Sequence, residues 1–419
     1  MKFSPFFTYT ALCLLTLVTS AFAEFKQRRW TTFDGVSKNL KFEEFKQGKI
    51  LCKDAEQKDH IIDVSTLSYT DRVYLMDHAK VPKEELLGGF IPDEDLEMEL
   101  SKGNVSKLPS IEFGKKGKYK LRVLQSPNFE IWYERGVSVD SMMEQVEKVW
   151  LHLDAVMPSI RQGQKKRKNL IVVTESPEYY QAYRSWAETR DRSLSEFKYD
   201  DSPEKEPVAL FGTANPLFNE LDRPVKSSAF LVYTGVTPYT EPEGELYFID
   251  SYSRYLAIVS YNSGVFHWNG GRGRNLCFGV GFHAQDYLTG LFDVGFHAEG
   301  ERTTGQFGKR KRWTKVIAKA VKKGDVNISI EEIFADKITV KGDDMYSLIV
   351  LSYMRYINSS AEMKLNTVKY YQLLADVRKG EERFVEFPSV EDIVKCYGHD
   401  TVSAMEEDFK EFILGDNLK

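Results

Sequence analysis

The side chains best suited to metal or acid-base chemistry in this 419-residue chain are its seven histidines. A hydrolytic zinc helix presents two imidazoles from positions i and i+4, with a glutamate after the first as general base. No histidine in this sequence has another four positions away. His267, His283 and His297 do fall within thirty-one positions, near Asp286, Asp293 and Glu299, at a spacing that matches no ligand motif. They are the candidates for a nonstandard metal site, although His283 reads better as a partly buried polar residue on its helix. His297-Ala298-Glu299 has the His-x-Glu of zinc deaminases but lacks their Pro-Cys-x-x-Cys. Gly279, Gly281 and Ala284 fit a dinucleotide fingerprint by spacing, yet no long buried strand precedes them. A nucleophile elbow and a phosphate loop are both missing.

Two basic runs, Lys165 to Lys168 and Lys309 to Arg312, are the other chemical signal. The first precedes a buried strand and the second opens a helix, so both read as solvated surface, with an anionic cell-surface polymer as the alternative partner. Around residues 264–274, His267, Trp268, Arg272 and Arg274 combine aromatic and guanidinium groups on a glycine-rich backbone. Such groups make good binding anchors. A plain helix connection is equally open.

The elements that must carry these residues follow from periodicity. Short alternating runs at Arg28 to Phe33, Asn39 to Phe45, Lys49 to Lys53 and His60 to Val64 are separated by Asp34-Gly35, Gln47-Gly48 and a polar stretch, which is turn chemistry. A helix follows from Leu67 to Ala79, with Ser68 as N-cap and Asp71 three residues on. The spacing places Trp30, Phe42 and Leu67 inward. Residues 80–117 read as a linker, from Val81-Pro82, Gly88-Gly89 and the acidic run Asp93 to Glu99. Beyond it come strands Tyr119 to Leu124, Phe129 to Tyr133, Leu170 to Val173, Val208 to Phe211 and Ala229 to Tyr233. A helix at Val139 to Val156 and another opened by Pro177 are interleaved with them. After about Phe248 the pattern is helical: Phe248–Tyr261, Asn275–Leu288, Lys311–Val321, Met345–Asn358, Ala361–Val377, Val390–Cys396 and Val402–Leu414.

The chain opens with Lys2, an apolar run from Phe6 to Val18 and Ala21-Phe22-Ala23, the pattern of a secretory signal peptide cleaved after residue 23. No later segment is apolar enough to span a membrane. Apolar residues at 42% and aromatics at 13% predict well-filled cores, and a net charge of −5 spread over mixed signs carries no nucleic-acid signature. Cys52, Cys277 and Cys396 remain after cleavage, too few for a disulfide scaffold; a Cys277–Cys396 pair is left open.

Arg29-Trp30-Thr31, Gly35, Phe42-Glu43-Glu44-Phe45, Gly48-Lys49-Ile50, Val64, Leu67-Ser68, Asp71 and Tyr74-Leu75 resemble, in type and order, the Sla-one homology domain 1 of a yeast endocytic adaptor. The resemblance covers about 50 residues, and similar blocks occur in exported bacterial proteins. It implies an SH3-like β-barrel that binds short Asn-Pro-Phe peptides or serves as a spacer. Residues 118–419 resemble a peptidase-MA-like gluzincin. The resemblance is carried by Phe129-Glu130-Ile131, by Asn169 to Val173 followed by Tyr179-Tyr180, by Tyr346 to Val350, and by Met405 to Phe409 with Phe412 to Leu414. It implies a zinc helix at Phe248 to Tyr261, with Ser251 and Tyr255 in place of the two histidines and Tyr252 in place of the base. The third ligand, a glutamate on the next helix, is replaced by Val280. In this frame the glycines near Val280 serve close helix packing, and loop 264–274 joins the two former zinc helices. Serine, tyrosine and valine cannot build a zinc shell.

The expectation is an α+β multidomain protein: signal peptide 1–23, SH3-like barrel 24–79, linker 80–117, and a gluzincin-like domain 118–419 with a mixed sheet followed by a helical subdomain. It is exported to the periplasm or beyond, needs no cofactor or metal, and binds a protein or peptide ligand or a cell-envelope polymer. Nucleic acid is not expected as a partner. An active metal-dependent hydrolase with a nonstandard site is the alternative.

Overall fold

The computed structural model describes residues 25–32, 37–88, 105–156, 168–188, 209–214, 225–235, 245–246, 248–249, 252–253, 274–291, 310–335, 338, 343–377, 388–415 and 418. Residues 1–23, read from sequence as a signal peptide, lie outside the described residues. The chain divides into two units, one built from residues up to Leu67 and from Leu75–Gly89, the other from Ser68–Tyr74 and the remainder.

The first unit is a four-stranded antiparallel meander: β1 (Arg28–Thr31), β2 (Ser37–Lys46), β3 (Lys49–Lys53) and β4 (Asp59–Asp63). The β2–β3 loop is the two residues Gln47 and Gly48, both at positive φ (51° and 70°). That conformation matches the twist of the flanking strands, and glycine adopts it without strain. A register shift between Phe42 and Glu44 inserts an extra residue into β2. Side chains three apart would otherwise face opposite ways, so the bulge lets Phe42 and Phe45 oppose Cys52 and Ile50 on one face. Past β4, a bridge between Thr32 and Leu67 returns the chain to the end of β1. Trp30, Leu40, Phe42, Ile50, Cys52, Val64 and Leu67 fill the interior. Trp30 is 1% exposed, and its indole N–H donates to the Leu40 carbonyl at 3.1 Å. The inward placement of Trp30, Phe42 and Leu67 read from alternation is what the fold contains.

Helix α1 (Tyr69–His78) follows. Its start is capped reciprocally, because Asp71 N–H donates to Ser68 Oγ at 3.3 Å and Ser68 Oγ donates to the Asp71 carboxylate at 2.9 Å.

In the second unit, β5 (Ser106–Phe113), β6 (Tyr119–Gln125), β7 (Phe129–Tyr133), β8 (Lys168–Thr174), β9 (Ala209–Ala214) and β10 (Val225–Tyr233) form one mixed sheet, in the order β5-β6-β7-β8-β10-β9. The stretch read as a linker therefore contributes a strand. β5 pairs antiparallel with β6, with a shift between Leu108 and Ile111 around Pro109 that masks its alternation in sequence. The β7–β8 and β8–β10 pairs are parallel. Helix α2 (Asp140–Val156) crosses over between β7 and β8, and α3 (Pro177–Glu188) follows β8. Parallel strands covered on both faces read as near-continuous apolar runs. Phe129, Ile131, Ile171, Val173 and Phe230 face the α2 side with Met142, Val146 and Val149. Trp132, Leu170, Val172 and Leu231 face the α3 side with Tyr180 and Tyr183.

Seven further helices follow: α4 (Arg274–Thr289), α5 (Arg310–Lys323), α6 (Ile330–Phe334), α7 (Asp343–Ile357), α8 (Ala361–Val377), α9 (Val390–Cys396) and α10 (Val402–Leu414) among the described residues. All except α6 coincide with a helical pattern in the sequence. Helix α6 has five residues, too short for a period to show, and is set by its caps: Ser329 Oγ accepts from Glu332 N–H at 3.2 Å and Glu406 accepts from Ile330 N–H at 2.9 Å. Cys52, Cys277 and Cys396 are free thiols, so the Cys277–Cys396 pair does not form. No helix among the described residues is long and apolar enough to cross a membrane.

Trp30 tests the first unit. Trp30→Ala removes a fully buried indole and should destabilise the unit by about 3–5 kcal/mol. Hydrogen exchange of the 28–67 amides in the full chain should speed up while amides of β7 and β8 keep their protection. Unchanged exchange of β2 and β3 would mean that Trp30 is not central to that core.

Candidate functional site

Several of the residues singled out for chemistry, Gly279, Val280, His283 and Asp286 among them, lie on α4. The helix is fixed at its start by Asn275, whose side-chain amide donates to the Ile333 carbonyl at 2.7 Å and whose amide oxygen accepts from the Tyr346 hydroxyl. Its faces then separate by the 3.6-residue period. Gly279 and Asp286, seven positions apart, share the face toward α7. Val280 and Tyr287, also seven apart, share the adjoining face.

On the α7 face the backbones come close. A Cβ at Gly279 would lie 2.5 Å from Met354 Cγ and 3.0 Å from Val350 Cγ1. This glycine serves helix packing, as the sequence frame implied. Two turns on, the Asp286 carboxylate is 1% exposed and pairs with the Arg355 guanidinium at 2.8 Å, while the Trp313 indole donates to its other oxygen at 3.3 Å. A buried carboxylate satisfied on both oxygens is held for structure, not offered to a substrate.

On the α2 side, His283 Nδ1 lies 3.2 Å from His152 Nε2, with the two ring planes 19° from parallel. Tyr287 stacks on His152, centroids 4.5 Å apart. Both histidines are buried, His283 more fully than the partly buried position read from sequence. Helix α2 is held in place by Glu147, whose carboxylate accepts from Ser126 Oγ at 2.5 Å, Asn128 N–H at 2.9 Å and Asn128 Nδ2 at 2.7 Å. Gln145 Nε2 donates to Glu245 at 2.6 Å and Gln285 Nε2 to the Leu246 carbonyl at 2.9 Å, which ties the segment before the expected zinc helix to α2 and α4. Within the imidazole pair, one N–H donates to the other's lone pair. As a metal site the pair is one short, since a zinc site uses at least three protein ligands. Among the described residues no group of three or more His, Cys, Asp or Glu is placed to hold an ion.

The predicted site residues fare differently. Tyr252 and Val280 are each 0% exposed. Tyr252 stacks on Phe248 with centroids 5.4 Å apart and packs against Phe230 at 5.1 Å and Phe129 at 6.0 Å, so its ring lies in the core beneath the sheet. Arg274 is the first residue of α4. Ser251, Tyr255, His267, Trp268, Arg272 and His297 lie outside the described residues. Of the proposed histidine trio only His283 is described, and its partner is His152, 131 positions earlier. Sequence reading missed His152 because a single histidine on an otherwise apolar helix face has no local spacing to mark it. No family model, curated protein or solved structure matches this chain.

Substitutions at Gly279, Asp286 and Arg355 probe this helix and its contact with α7. Gly279→Ala gains about 1 kcal/mol of helix propensity, while forcing a methyl into a filled contact costs about 1–3 kcal/mol. The full chain should therefore melt lower than wild type, and Gly279→Leu lower again; a higher melting temperature for the alanine variant would show that α7 gives way freely. Arg355→Ala should cost about 3–5 kcal/mol, because it strands a buried carboxylate. Adding Asp286→Ala should recover part of that loss in a double-mutant cycle, whereas strict additivity would show that the pair is not coupled.

Proposed function

We propose that this protein is an exported, non-catalytic binding or scaffolding protein. Its first unit is a Sla-type homology module with an SH3-like barrel, and its second is a gluzincin-like domain that has lost its zinc shell. The antiparallel meander with its Thr32–Leu67 return supports the barrel reading. The mixed sheet followed by helices supports the peptidase-like reading of the second unit.

The observation that carries the proposal is the packing of Tyr252 and Val280. In the peptidase frame these positions belong to the general base and to the third zinc ligand. Here one is a ring among three other aromatic side chains and the other an isopropyl group in the same core. Val280 can neither ligate zinc nor move a proton, the neutral Tyr252 hydroxyl is no substitute for a carboxylate base, and neither side chain is reached by solvent. The partner we favour is a protein or peptide, or a polymer of the cell envelope, engaged through residues 264–274, with Trp268 and Arg272 as anchors beside His267 and Arg274.

Metal analysis joined to an activity assay tests this reading. The purified full chain should carry no stoichiometric zinc and should not cleave an unfolded protein in a chelator-sensitive way. Stoichiometric zinc with such cleavage, unchanged by Val280→Ala, would place a working site elsewhere and end the non-catalytic reading.

A further inference from the structure

Helix α5 differs from every other described helix in its charge. Its fourteen residues, Arg310–Lys323, include seven lysines and arginines and no acidic residue, in a chain whose net charge is −5. One face is apolar and buried, with Trp313, Ile317, Ala320 and Val321 in the core. The opposite face exposes Arg312, Lys315, Lys319, Lys322 and Lys323. Steps of three, four and three residues put Arg312, Lys315, Lys319 and Lys322 in a single row, which at the α-helical rise is about 15 Å long.

These cations are not used to hold the fold. Two helix lysines elsewhere do have neighbours of opposite sign: Lys148 pairs with Glu144 at 2.7 Å and Lys410 with Glu407 at 3.8 Å. None of the five exposed cations on α5 is in an ion pair with a described residue. Like charges three or four positions apart are neighbours on a helix surface, and their repulsion destabilises an isolated helix. The row includes three such pairs, and Lys319 with Lys323 makes a fourth. Local stability argues against this pattern, and a bound polyanion would reverse the sign of the penalty.

We propose that this face of α5 binds a linear anionic polysaccharide, one that carries a sulfate or carboxylate on its repeating units. The inference is independent of whether the second unit is catalytic, because no residue of α5 belongs to the former zinc shell. The composition of the face selects the class of polyanion. A membrane-surface helix needs large apolar side chains at the edge of its charged face. Among the described residues the exposed large hydrophobics are Ile61 and Leu414, neither of them on α5. Single-stranded nucleic acid is bound by stacking on exposed aromatics, and the one aromatic residue of α5, Trp313, is 0% exposed. Base reading in a groove also draws on asparagine and glutamine for adenine, and the exposed row has neither. What remains is charge in a line, which suits a polymer recognised by its charge spacing.

The test is binding of the full chain to immobilised heparin and to polygalacturonate, with single-stranded DNA and phosphatidylglycerol vesicles as competing probes. Wild type should bind one or both polysaccharides at low ionic strength and release them as salt rises. The variant Arg312→Gln, Lys315→Gln, Lys319→Gln, Lys322→Gln should bind at least about ten-fold more weakly, without a lower melting temperature. If that variant folds poorly, the single reversals Lys315→Glu and Lys319→Glu give the same readout. A Lys148→Gln, Lys410→Gln variant should bind like wild type. Equal loss in that control, undiminished binding after loss of the row, tighter binding of DNA or vesicles than of either polysaccharide, or no polysaccharide binding at all would each overturn the proposal.

Discussion

The central strands of the second unit, β7, β8 and β10, are covered on both faces, and the rest of that unit is arranged around this requirement. Every position of β7 is buried, so the strand has no solvent side on which to place a charge. The one charged residue it contains, Glu130, accepts from Gln125 Nε2 at 3.0 Å and from the Trp132 indole at 3.1 Å. Helix α2 covers one face and α3 the other, and the crossover from β7 to β8 is fixed by Glu147 gripping the turn at Ser126 and Asn128. That grip sets the position of α2, and with it the position of His152.

Helix α4 packs on α2 through one side and on α7 through another, and its polar groups are satisfied by partners inside the fold. Asp286 has Arg355 and Trp313, Asn275 has Ile333 and Tyr346, Gln285 has Leu246, and His283 has His152. An active site needs the opposite arrangement, with polar groups held but left for a substrate to complete. The described part of α4 is built as a structural helix in the position where the peptidase resemblance expects a ligand-bearing one.

Helix α5 inverts this pattern. Its inner face is as well packed as that of α4, with Trp313 reaching Asp286, yet its outer face concentrates charge of one sign with no intramolecular partner among the described residues. Packing fixes the helix rigidly enough to hold the cations in a row. Nothing in the core requires them to be there.

Much of this architecture is legible from sequence, because periodicity reports burial directly. The alternation through β2 and β3, the Ser68–Asp71 cap, the Pro177 helix start and helices α8, α9 and α10 are all determined by neighbours within a few positions, where chain connectivity fixes the geometry. The turn at Gln47-Gly48 is of the same kind. What sequence could not supply are the meetings between distant segments. Nothing in the run Ser106–Phe113 announces that it adds a strand to a sheet, since Pro109 interrupts its alternation and the pairing comes from β6. The partnership of His152 with His283, the ion pair of Asp286 with Arg355, and the burial of Tyr252 among Phe129, Phe230 and Phe248 each join residues from separate elements. The identity of those residues was visible in advance, but whether a histidine, a carboxylate or a tyrosine hydroxyl faces solvent, a ligand or another side chain is decided only when helices pack. Local energies select the elements; the competition to bury apolar area selects which of their polar groups are left free.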